Sequence, residues 1–152
     1  MAIQYKRILL KVSGEALSGP KGTGFDEETI ASICAGIKAA HDLGAQIGIV
    51  VGGGNFWRGR SSGKMDRMDA DVMTSSFMPQ VAECFTSDKA IAALESGKIV
   101  VFGGGTGNPI FSTDTASALR ALEIGADAMF KATMVDGVYD KDPHKYADAV
   151  RY

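Results

Sequence analysis

Short apolar runs, each stopped by a glycine-bearing turn and separated by helix-like stretches, constrain this chain more than any other feature. Arg7-Ile8-Leu9-Leu10-Lys11-Val12 stops at Ser13-Gly14, Ile47-Gly48-Ile49-Val50-Val51 at Gly52-Gly53-Gly54, and Ile99-Val100-Val101-Phe102 at Gly103-Gly104-Gly105. A fourth run covers Ala128-Met129-Phe130-Lys131-Ala132. Between the first two, Asp26 reads as an N-cap, with Glu27 and Glu28 complementing the helix dipole. Ile30, Ile33, Cys34, Ile37 and Ala40 keep helical spacing, and Gly44 suits the C′ position. A second helix is predicted from Ser87 as N-cap through Ile91 and Leu94 to Gly97. A third runs from Asp114 to Ile124, with Ala116, Leu119 and Leu122 toward the core and Gly125 closing it. Continuously apolar strands alternating with helices predict an α/β fold, a three-layer αβα sandwich around a mainly parallel sheet. Such sheets bind ligands outside the carboxyl ends of their strands, where Ser13-Gly14 and both glycine clusters fall.

Composition supports that placement. Glycine makes up 19 of 152 residues, well above the average of about 7%, and seven of them lie in 52–54 and 103–107. Consecutive glycines after a strand let backbone N–H groups approach an anion without interference from a Cβ, and a helix N-terminus behind them adds a favourable dipole. With Lys11 and Arg58 nearby in sequence, several phosphates are the expected ligand. Glycines that merely permit tight turns are the alternative. The common phosphate motifs fail: Gly63-Lys64 is followed by Met65 and Gly97-Lys98 by Ile99, so there is no P-loop. Neither glycine cluster continues as G-x-G-x-x-G, and the H-R-D and D-F-G pairs of protein kinases are missing. A net charge of −2 argues against a nucleic-acid surface as the main function. No apolar run reaches the roughly 18 residues of a membrane span, the N-terminal segment lacks signal-peptide character, and a cytoplasmic location is expected.

Five stretches in order carry a family resemblance. They are Lys11 to Leu17, Gly52 to Gly59, Met65 to Asp71, Gly105 to Asp114, and Lys131 to Pro143. Together the chain resembles the bacterial uridylate (UMP) kinases of the amino acid kinase superfamily. The resemblance implies transfer of the ATP γ-phosphate to UMP with Mg²⁺, in pyrimidine nucleotide synthesis. It implies that Lys11, Val12, Ser13 and Gly14 hold the ATP phosphates, with Gly54 and Arg58 completing the pocket. Gly53 would touch the UMP phosphate and Asp71 would accept hydrogen bonds from its ribose. Thr106, Gly107, Asn108, Pro109, Ile110, Phe111, Ser112 and Thr113 would wrap the nucleoside monophosphate, while Thr133, Tyr139 and Asp142 would line the adenosine. Lys11, Arg58 and Asp114 are the implied catalytic residues, Asp114 orienting lysine and substrate. The loop Gly19, Pro20, Lys21, Gly22, Thr23 and Gly24 resembles the segment tied to activation by GTP. Inhibition by UTP and a homohexamer are implied as well. A catalytically silent nucleotide-binding fragment, or a superfamily kinase acting on a carboxylate or carbamate, remain as alternatives.

The chain departs from the family pattern in two places. Met73 runs almost directly into Thr74, where family members carry a further helix and strand, and relatives continue past Tyr152. Residues 1–152 are therefore read as a single amino acid kinase-like domain, incomplete at a seam near 73–74 and at its C-terminal part. Met134 stands where relatives often carry lysine. The other polar and sulfur-bearing residues have plainer readings: Cys34 as a small buried hydrophobe, Cys84 as isolated, His41 and His144 as surface residues without metal-ligand spacing, Met65, Met68 and Met73 as packing. Asp136-Gly137 carries a hairpin signal, with Asp136 a turn residue. No resident metal site is expected.

Overall fold

The computed structural model describes residues 3–53, 56, 81–108, 110–133 and 135–152. In chain order the elements are β1 (Arg7–Val12), a short α1 (Gly14–Ser18) with a 3-10 turn at Gly19–Lys21, α2 (Glu27–Asp42), β2 (Gln46–Val51), α3 (Ser87–Glu95), β3 (Val100–Phe102), α4 (Thr113–Glu123) and β4 (Ala128–Ala132). The strands form one sheet in the order β3-β2-β1-β4, every neighbouring pair parallel. Lys11 stands in register with Val50 on one side and Lys131 on the other.

Alternation along the strands divides the core into two layers. Val12, Ile47 and Ile49, with Ile8 and Leu10, face α2 and pack on its Ile30, Ile33, Ile37 and Ala40. Leu9, Val50 and Phe102 face the other way, against Ala90 and Leu94 of α3 and Ile124 at the end of α4. Helices therefore cover both faces, and the αβα layering expected from the apolar strands holds. On the α3–α4 side, Gly48 leaves room for its neighbours: a Cβ there would lie 2.9 Å from Phe102 Cε2 and 3.1 Å from Ile124 Cδ1.

One device is used three times at the amino ends of the strands. Helices α2, α3 and α4 each end at a glycine in the left-handed region, Gly44 (φ 97°), Gly97 (φ 81°) and Gly125 (φ 62°), and the chain then enters β2, β3 or β4. Arg7 stitches this rim together. It donates to Gln46 Oε1 (2.7 Å) and to the Ile124 carbonyl (2.7 Å), and pairs with Glu95 at 3.0 Å. Asp127 accepts from the backbone N–H groups of Lys6 and Arg7, both at 2.8 Å.

Several expectations need correction. Cys34 is exposed, because Ile30, Ile33, Ile37 and Ala40 already make the buried stripe of α2 and Cys34 lies on its flank. Leu119 and Leu122 are also exposed, Leu122 at 81%; the face of α4 that meets the sheet carries Ala116 and Ser117, with Ala121 packed against the core. The cap of α3 is Thr86, whose hydroxyl accepts from Lys89 N, one residue before the predicted Ser87. Asp136-Gly137 does not turn a hairpin. Gly137 lies outside the left-handed region, and the Asp136 carboxylate instead accepts from Tyr139 Oη (2.6 Å) and Arg151 Nη1 (2.7 Å). An antiparallel bridge between Tyr139 and Arg151 folds the segment against the end of the chain. The hydrogen bonds from Tyr139 and then Arg151 hold the Asp136 carboxyl below the usual range. Asp26, by contrast, caps α2 as predicted, accepting from Thr29 N at 3.1 Å.

Candidate active site

Because the four described strands are parallel, the turns after β1, β2, β3 and β4 emerge on one side of the sheet. Ser13 N donates to the Ala132 carbonyl (3.2 Å) and Gly52 N to the Val12 carbonyl (3.0 Å), so three of the four strand ends are tied together. A Cβ built on Gly52 would lie 3.4 Å from the Gly14 nitrogen and 3.4 Å from Thr113 Oγ1. The turns after β1 and β2 and the start of α4 thus meet at one place, with no side chain on Gly52 to fill it. Helix α4 begins there, capped by the Ser112 hydroxyl, which accepts from Thr115 N at 3.2 Å, and its dipole favours an anion.

Charge is concentrated at the same place. Lys11 and Lys131 are Cα partners on adjacent parallel strands and so project to the same side of the sheet. Like charges directly opposite one another are destabilising, and a carboxylate offsets them: Asp114, in the first turn of α4, pairs with Lys11 Nζ at 2.9 Å and Lys131 Nζ at 3.0 Å. The Lys11 side chain is 9% exposed, whereas Asp114 and Lys131 are about half exposed. The hydrogen bond from Lys11, and then that from Lys131, hold the Asp114 carboxyl below its ordinary range against the opposing effect of partial burial. Two ammonium groups on one carboxylate leave a net positive charge among glycine turns, an arrangement suited to phosphate oxygens. Lys131 was not singled out from the sequence, although it occupies the next-to-last position of its strand as Lys11 does.

Beside this place the turn after β3 is built by three glycines in the left-handed region, Gly104 (φ 76°), Gly105 (φ 64°) and Gly107 (φ 79°). Gly107 N donates to the Gly104 carbonyl (3.3 Å), and the Thr106 hydroxyl accepts from Asn108 N (3.1 Å). Ile110 adopts φ 78°, a strained conformation for a β-branched residue. A cavity of about 390 Å³ opens against this turn, between residues 82–86, α3, β3 and Arg120.

Comparison with known proteins is consistent with that chemistry. Residues 68–152 match the amino acid kinase family. The uridylate kinase of Chelativorans sp. (strain BNC1) is 43% identical over 180 residues, a match taking in 100% of this chain and 73% of the relative. The chain belongs to the amino acid kinase family. Among solved structures, the UMP kinase of Bacillus anthracis superposes with a TM-score of 0.85 at 33% identity, over 97% of this chain and 73% of that one. The UMP kinase of Ureaplasma parvum gives a TM-score of 0.84 at 27% identity, over 99% and 76%.

Within this amino acid kinase the described residues that the sequence singles out fall into four groups. Lys11, Val12, Ser13, Gly14, Gly53, Thr113 and Asp114 cluster at the strand ends. Thr106, Gly107, Asn108, Ile110, Phe111 and Ser112 follow β3 and lead into α4. Thr133, Tyr139 and Asp142 follow β4; Tyr139 donates to Asp136 and Asp142 accepts from His144 N at 3.0 Å. The loop Gly19, Pro20, Lys21, Gly22, Thr23 and Gly24 lies before α2, pinned by the Lys21–Asp26 pair at 3.2 Å. Gly54, Arg58, Asp71 and Pro109, together with the seam near 73–74, Met65, Met68, Met73 and Met134, lie outside the described residues.

Proposed function

We propose that this chain transfers the γ-phosphoryl group of ATP to UMP, yielding ADP and UDP. The observation that carries the reading is the Lys11–Asp114–Lys131 set at converging glycine turns, in a chain 43% identical to a uridylate kinase. The attacking atom is already a phosphate oxygen, so no strong general base is required. The demands are in-line positioning and neutralisation of charge on the moving phosphoryl group. Lys11 and Lys131 meet the second demand, and Asp114 fixes where their ammonium groups stand. The amides of the glycine turns and the N-terminus of α4 orient the phosphates.

Among the described residues no cluster of carboxylates, histidines or cysteines forms a cation cage, and both Asp114 oxygens are engaged by lysines. These donors fit phosphate oxygens. Mg²⁺ is proposed to arrive as MgATP, carried by the nucleotide as part of the substrate.

The same reading assigns ATP to Lys11, Val12, Ser13, Gly14, Gly54, Arg58, Thr133, Tyr139 and Asp142. It assigns UMP to Gly53, Asp71 and the span 106–113. Activation by GTP through the 19–24 loop, inhibition by UTP, a homohexameric assembly, a cytoplasmic location and a single domain over 1–152 complete the proposal. These rest on the family resemblance; no described helix is long and apolar enough to cross a membrane. The test is a coupled assay with ATP, Mg²⁺ and each of UMP, acetylglutamate and carbamate. UDP formation from UMP alone is expected. A folded protein that phosphorylates a carboxylate in preference to UMP, or binds UMP without turnover, would overturn the reading.

A further inference from the structure

We infer that Arg120 is a positioning residue for the acceptor, holding the turn after β3 in the shape that meets the nucleoside monophosphate; the inference rests on the phosphotransfer reading above. Three glycines in the left-handed region give that turn great freedom when unconstrained. Its internal hydrogen bonds, Gly107 N to Gly104 O and those between Thr106 and Asn108, close the turn on itself without fixing where it stands. Among the described residues, the hydrogen bond that ties 104–108 to another element is the one from Arg120 Nη2 to the Gly105 carbonyl, at 3.4 Å.

Arg120 is itself held from two sides. Its Nη1 pairs with Glu123 one turn along α4. Its guanidinium lies 4.1 Å from the centroid of the Phe85 ring. Phe85 packs edge-on against Phe102, the last residue of β3, with ring centroids 5.6 Å apart. The arginine side chain is only 11% exposed, so the planar fork is locked between α4, the 82–86 segment and the turn. Engaging the Gly105 carbonyl has a consequence one atom further along. In a trans peptide the C=O and the following N–H point in opposite directions, and no described peptide is cis. The Thr106 N–H is therefore aimed away from Arg120, available to an acceptor phosphate or base. Arg120 acts through the turn and makes no claim on the reacting atoms.

Lysine keeps the charge and can keep the Glu123 pair, yet it lacks the fork that spans Glu123 and Gly105 together. Full-length Arg120→Lys and Arg120→Met variants, assayed with UMP and ATP varied separately, test the idea. Arg120→Lys is expected to raise KM for UMP about tenfold, as loss of one charge-assisted hydrogen bond implies, with kcat and KM for ATP nearly unchanged. Arg120→Met is expected to do the same and also to lower Tm. An unchanged KM for UMP in folded Arg120→Lys, or equal rises in both KM values, would overturn the inference. Amide hydrogen exchange supplies a readout independent of activity. Faster exchange confined to 103–108 in Arg120→Lys, with α2 and β1 unaltered, supports the positioning role, and unchanged exchange there overturns it. Should the wild-type chain make no UDP, the phosphotransfer reading falls, and the exchange data alone decide whether Arg120 orders the turn.

Discussion

At the residue scale the site is an electrostatic compromise. Lys11 and Lys131 stand side by side, and Asp114 is the carboxylate that makes their proximity tolerable. Replacing Asp114 by asparagine is expected to lower kcat by about 10²–10³, comparable to loss of one preorganised electrostatic partner; Lys11→Ala and Lys131→Ala should fall in the same range. Stopped assays on folded variants check this, and a wild-type rate in any of them removes that residue from the mechanism. Because the folded-state pKa of Asp114 is depressed, its contribution to stability is fully present above the unfolded carboxylate value of about 3.9. It is lost as pH falls through the lower folded value. The gap in Tm between wild type and Asp114→Asn should therefore be constant from neutral pH down to about 5 and should narrow below about 4. Lys11 and Asp114 were legible in the sequence through their motifs. Lys131 opens the last of those motifs, yet its role beside Lys11 was not legible, because that pairing is a matter of register between strands that lie far apart in the chain.

At the scale of elements, the strands and helices were readable from their periodicity and end residues, and the exposed faces were not. Ile47 to Val51 read as a buried strand and Asp26 as an N-cap; Ile47 to Val50 are buried, Val51 at the strand's end is exposed, and Asp26 caps α2. Leu119 and Leu122 have the right spacing for a core stripe, yet the sheet is met by the opposite, small-residue face of α4. Spacing alone does not say which of two stripes is chosen when Ala116 and Ser117 allow closer approach. Close approach also governs β2. Gly48→Ala would push a methyl group into Phe102 and Ile124, and a loss of about 1–3 kcal/mol, as for overpacking, is expected by denaturant unfolding. Arg7→Ala should lower stability by about 2 kcal/mol through lost charge-assisted hydrogen bonds while leaving both KM values as they are. A change in KM would mean that the amino-end rim communicates with the site.

At the scale of the whole molecule, the layered α/β fold and the edge where the turns converge follow from four apolar runs, three of them ending in glycine turns. What the sequence could not show is how closely those turns meet, since the approach of Gly52 to Gly14 and Thr113 depends on three separate crossovers. The two cores share one sheet, so thermal unfolding is expected as a single cooperative transition by circular dichroism and calorimetry alike. Two separated transitions would contradict one domain over 1–152.

The left-handed glycines that close α2, α3 and α4 give the molecule a side that can be engineered. Among the described residues the helix-to-strand joints lie on the rim stitched by Arg7, and the turns proposed to hold phosphates lie on the other. A fluorescent reporter or affinity tag spliced between Lys98 and Ile99 can therefore ride on the enzyme as a passenger. The same cargo placed after Gly104 would be an amputation.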